Sequence, residues 1–188
     1  WWPVVPTLSL RQPDGIFLFR WNVTQSRTEI IDALVHGLNR INACHPAGVV
    51  VLAHSAGGVV VSFAVSRLQV DSEVAVYTVA SPLAGAGVHK RAEEEEGANR
   101  FLRDLGATKK GFPAAATNVV VTHLRTQLPG DPVMAPMVEG HTPNMRGVGV
   151  LGATEIDLPT HLSHDGSLLY VARRLAKFKG ASVVDPAP

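Results

Sequence analysis

The stretch Val49-Val50-Val51-Leu52-Ala53-His54-Ser55-Ala56-Gly57-Gly58, followed at once by Val59-Val60-Val61-Ser62-Phe63-Ala64-Val65, decides how this chain is read. Gly48–Ala53 is apolar on both faces, as suits a strand covered by helices on either side. A second apolar run, roughly Gly57 to Leu68, has helical length. The polar pair His54-Ser55 therefore falls on a tight turn between a buried strand and a helix. A serine at such a turn must adopt strained backbone angles. The residues two positions away on either side must be small, because strand and helix nearly touch there. Ala53 and Gly57 meet that demand. The helix start behind Ser55 offers free N–H groups and a favourable dipole to a developing oxyanion.

Outward from this turn, β-branched runs alternate with helical patterns. Gly15–Trp21 reads as a strand after the turn signal Pro13-Asp14-Gly15. Ser26-Arg27-Thr28-Glu29 is a capping box. Ile30, Ile31, Leu34, Leu38 and Ile41 follow at helical spacing, which predicts a helix to about Asn42. Glu73–Ala80 and Asn118–Leu124 read as further strands, His89–Leu105 as a charged helix and His164–Lys177 as the last helix. Strands alternating with helices predict an α/β domain: a mostly parallel sheet with helices on both faces. No repeat or linker divides the chain, so residues 1–188 read as a single domain, with 83–113 as a candidate small cap or lid. The Pro- and Gly-rich Leu128–Arg146 reads as a long functional loop.

With 188 residues, 46% hydrophobic and only 18% charged, the chain can form a core without disulfide or metal staples. Its 17 basic and 16 acidic side chains leave a formal charge of +1. That excludes nucleic-acid or membrane-surface binding through bulk charge. No apolar stretch approaches the length of a membrane span. A single cysteine, Cys44, excludes an internal disulfide framework; it fits an intracellular protein and is compatible with an exported one. The opening Trp1-Trp2-Pro3 has no initiator Met and no signal-like segment, so the natural chain is expected to extend upstream or to be cut there.

The Ala-x-Ser-x-Gly turn, set between GVVVLA and an apolar helix, resembles the nucleophile elbow of the lipase and esterase branch of the α/β-hydrolase superfamily. The resemblance covers about residues 15 to 180. It implies a Ser-His-Asp triad in the chain order Ser, acid, His, with acid and base on loops after later strands. Ser55 would be the nucleophile. Asp131, in Leu128-Pro129-Gly130-Asp131-Pro132-Val133 just beyond a strand, is similar to the family's acid loop; Asp157 and Asp104 are its rivals, and an ordinary Asp-Pro turn is the bland reading. His164, before the last helix, resembles the family's base, with His161 three residues upstream as the competitor. His54, His123 and His141 read as ordinary histidines. The N–H of Ala56 would be one oxyanion donor. The family's other donor sits after a strand upstream of Gly15–Trp21 and is often marked by His-Gly, which Trp2–Leu10 lacks. An upstream segment, or a donor near Asn22, would have to fill that place.

Two further patterns are decoys. Gly147-Val148-Gly149-Val150-Leu151-Gly152 matches GxGxxG, yet it precedes a β-rich stretch and Pro159, where a dinucleotide site needs a helix. His161, His164 and Asp165 do not have the spacing of a zinc site. No cofactor and no metal are therefore expected. The resemblance implies hydrolysis of a carboxylic ester, and Leu83–Pro113, too short a cap for a large hydrophobic lid, points to a small or modestly long acyl group. Thioester hydrolysis on the same triad and a catalytically silent binding module are the alternatives.

Overall fold

The computed structural model describes residues 4–9, 15–22, 24–84, 111–126 and 147–176. Among these residues four α-helices and four strands follow in chain order, with a 3-10 turn (Val65–Arg67) continuing α3: α1 (Val4–Ser9), α2 (Arg27–Cys44), β1 (Val49–His54), α3 (Ala56–Ala64), β2 (Val74–Val79), β3 (Val119–Arg125), β4 (Thr154–Asp157) and α4 (His164–Leu175). The strands form one parallel sheet in the order β1-β2-β3-β4. Every strand therefore points the same way, and residues 54, 79, 125 and 157 end at a common rim.

Side chains alternate between the two faces of each strand, and the core divides accordingly. On one face, Ala53, Val74, Val76 and Val121 pack against Ile30, Ile31, Leu34 and Leu38 of α2 and Val59, Val60 and Val61 of α3. On the other, Ala75, Tyr77, Val79 and Leu124 pack against Val171 of α4. Leu168 and Ala172 of α4 join Val4 of α1, with Leu52 of β1 alongside. Helices thus cover both faces, as an α/β arrangement requires. Each buried valine of this core contributes about 1.5 kcal/mol or more.

Helix α2 begins at the capping box: the Glu29 N–H donates to Ser26 Oγ and the Ser26 N–H to the Glu29 carboxylate. Near its end, Asn42 is buried because its amide closes the loop before β2. It donates to the Ser72 carbonyl at 3.0 Å and accepts the N–H groups of Asp71 and Ser72.

Gly15–Trp21 departs from the expectation of a strand. It belongs to no ladder, and Phe17, Leu18 and Phe19 are 59%, 49% and 38% exposed. An aromatic and β-branched run becomes a strand only when a neighbour supplies ladder bonds and a packed face. Among the described residues β1 is the sheet's edge, and no strand lies between it and this segment. Instead Phe17 meets His45 edge-on and Phe19 tilts against Trp21. Two elements were not among the expected helices and strands. One is α1, whose Pro6 falls in the first turn where proline is tolerated. The other is β4, only four residues long. The expected helix 89–105, most of the cap segment 83–113 and the loop 128–146 lie outside the described residues. Among the described residues no helix is long and apolar enough to cross a membrane.

Candidate active site

Ser55 is the single residue between the last residue of β1 and the first of α3. Its φ is 54° and ψ −128°. A side chain rarely occupies that region, and holding one there costs on the order of 1–3 kcal/mol. Two hydrogen bonds hold the turn: the Ser55 N–H donates to the Val79 carbonyl at 3.0 Å, and the Gly58 N–H folds back onto the Ser55 carbonyl at 3.0 Å. The first locks the turn to the end of β2; the second uses the third N–H of α3, ahead of which lie those of Ala56 and Gly57. Trp21 borders the same turn, its ring 3.8 Å from where a Cβ on Gly57 would lie.

The steric demand for glycine lies one residue further on than expected. A Cβ on Gly57 would meet only that ordinary contact with Trp21. A Cβ on Gly58 would overlap Ser81 Oγ and come within 2.6 Å of Ser81 Cβ and 3.0 Å of Thr78 Cβ. The tight approach is thus between α3 and the end of β2, where Ala80 also has a positive φ of 48°.

His164 opens α4, positioned by Ser163. The Ser163 Oγ accepts the Gly166 N–H at 3.0 Å, and the Ser163 carbonyl accepts the Ser167 hydroxyl at 2.8 Å. The loop before it is tied to the sheet by the Leu158 N–H, which donates to the Arg125 carbonyl at 2.8 Å. Strand β4 lies at the opposite edge of the sheet from β1. Helix α4 nevertheless recrosses the sheet, because Leu168, Val171 and Ala172 bury against β1, β2 and α1. Its first residue therefore comes beside the end of β1. The rings of His54 and His164 lie 4.6 Å apart, and His54 Nε2 is 3.0 Å from the backbone oxygen of His164. Burial first, then the nearby His164, push the His54 pKa below its usual value; the bond to the His164 carbonyl and the Asp165 charge oppose that shift.

The other sequence candidates divide clearly. Asp131, Asp104 and His141 lie outside the described residues. Asp157 is in an ion pair: Arg125 donates from Nε at 2.8 Å and from Nη2 at 2.7 Å to Asp157 Oδ1, with Glu155 at 3.8 Å from Nη1. His161 is exposed. Near Asn22 the N–H groups of Asn22 and Thr24 are occupied, since Gln25 Oε1 accepts the first at 2.7 Å and Asn22 Oδ1 the second at 3.0 Å.

His54, an ordinary histidine by sequence, is the ring that reaches the His164 backbone. A polar ring at the end of an otherwise apolar strand was the available signal. His123 is a different case. It lies inside β3, 1% exposed, with Nδ1 2.7 Å from Thr78 Oγ1 and Nε2 accepting the Val150 N–H at 2.9 Å. Comparison with protein-family models, with curated proteins and with solved structures finds no match.

Proposed function

We propose that this chain is a serine hydrolase of the α/β-hydrolase type that cleaves carboxylic esters through Ser55, His164 and Asp131. The observation that carries the reading is the Ser55 backbone: a serine held at φ 54° between a buried parallel strand and the start of a helix. Strain of that kind persists only where the surrounding fold maintains it, and it aims the hydroxyl out of the rim. Support comes also from the last helix, whose first residue reaches the end of the same strand.

On this reading Ser55 Oγ attacks the acyl carbon while His164 accepts its proton, and Asp131 orients the imidazole and stabilises the imidazolium. The negative charge that develops on the carbonyl oxygen is met by the Ala56 N–H at the helix start. The bond to the alkoxy oxygen then breaks, the imidazolium returns the proton to it, and the alcohol leaves an acyl group on Ser55. Water, deprotonated by His164, releases the acid and restores the serine. The test is labelling with a fluorophosphonate probe followed by peptide mass spectrometry. The expected result is one phosphonylated residue, Ser55, with loss of the label in Ser55→Ala. A well-folded wild type that takes no label would overturn the assignment.

A further inference from the structure

The imidazole of His54 does something that the triad reading leaves unexplained. A backbone carbonyl oxygen has no proton to give, so the 3.0 Å contact requires that His54 Nε2 carry the hydrogen and donate it. The acceptor is the carbonyl of His164, in the first turn of α4. A carbonyl there already accepts one N–H from the residue four further on, and its second lone pair is free to take another donor. The bond joins two residues 110 positions apart and crosses from the end of the edge strand to the start of the last helix.

We propose that His54 is a positioning residue: through Nε2–H it holds the His164 backbone and so fixes where that imidazole stands beside the Ser55 turn. This rests on the reading of Ser55 and His164 as nucleophile and base. The geometry explains why a polar ring occupies position 54, where the motif itself demands nothing. The tilted ring contact at 4.6 Å limits rotation of His164 from the side, while the hydrogen bond fixes its main chain. The lowered pKa of His54 adds a second benefit, because a neutral neighbour does not oppose the imidazolium that forms on His164 during acylation.

The test compares two amides of different reach. In His54→Gln the amide nitrogen extends to about where Nε2 lies; in His54→Asn it stops one methylene short. Each variant is assayed for kcat and KM on a short-chain p-nitrophenyl ester, for its rate of fluorophosphonate labelling and for its folded circular-dichroism signal. Positioning predicts that His54→Asn loses kcat and labelling rate on the order of 10- to 100-fold with KM little changed, and that His54→Gln recovers most of that loss. Equal activity in both variants and the wild type would overturn the role, as would an equal loss in both. Loss of the folded signal in both would make the contact a stability element and overturn it too. Independently of activity, two-bond ¹H–¹⁵N spectra of the histidines should show His54 protonated at Nε2. A folded wild type that shows this tautomer but takes no label refutes the hydrolase reading while leaving the contact itself intact; the opposite tautomer in a protein that does label refutes the positioning role alone.

Discussion

Two histidines near the sheet make opposite uses of similar surroundings. His123 sits inside β3 and spends both ring nitrogens on fixed partners, Thr78 and the Val150 N–H. The two bonds determine its tautomer: Nε2 accepts, so the proton is on Nδ1 and is donated to Thr78. A second proton would set an N–H against the Val150 N–H in a dry setting. Burial accordingly pushes the His123 pKa down to about 4, against a smaller raising effect of Glu155. His54 stands at the rim, with one nitrogen given to a carbonyl and its ring to another histidine. The first arrangement ties β3 to β2 and to the backbone at residue 150; the second joins the end of β1 to the start of α4. The lesson is that a buried histidine is assigned by what its two nitrogens meet, since burial depresses the pKa in both.

The sharpest way to separate the two regions is to alter one and measure what the other controls. Ser55→Ala should lower ester turnover by about 10³-fold or more and leave folding intact, measured by kcat/KM and thermal melting side by side. Ser55→Gly should be equally inactive yet more stable than Ser55→Ala by about 1–2 kcal/mol, since only glycine accepts those angles freely. Equal stability of the two would mean that the turn stores no strain.

The His123 region is tested by pH. Its folded pKa lies below the unfolded one, so the stabilising contribution is complete above about pH 6.5 and is lost as pH falls toward 4. In that window the unfolded chain binds the proton and the native one does not. Its share should reach about 3 kcal/mol in urea-unfolding curves taken from pH 7 to pH 4. His123→Gln should flatten that dependence; an unchanged slope would assign the acid sensitivity elsewhere. Gly149→Ala probes the same pocket without any titration, because its Cβ would overlap the His123 ring. It should cost about 1–3 kcal/mol in chemical denaturation and leave fluorophosphonate labelling of the folded fraction unaltered. The smallest effect belongs to a surface control. Arg67 and Asp32 form a 2.6 Å pair with both side chains about half exposed, and Arg67→Ala should change stability by less than about 0.5 kcal/mol.

Much of the sheet was legible in the sequence, because β1, β2 and β3 each carry a β-branched, largely apolar run and the capping box of α2 is a local signal read without tertiary context. Gly15–Trp21 looked just as strand-like but has no strand partner among the described residues, and pairing is not a local property. Gly58 was passed over in favour of Gly57 for the same reason: the crowding comes from Ser81 and Thr78, twenty or more residues away. Ser55 was readable from its flanks alone. That His54 would grip the backbone at residue 164 was not, since it depends on α4 recrossing the whole sheet.

That return of the last helix has a consequence for how the protein comes into being. The 110 positions that separate the two bonded partners take roughly 5–20 s to synthesise, so the serine leaves the ribosome well before the histidine that would serve it. Every nascent chain stopped before position 164 would carry the attacking group without its base. On the proposed reading, hydrolytic competence would arrive in one late step, with α4, and the unfinished polypeptide would leave the esters around it intact.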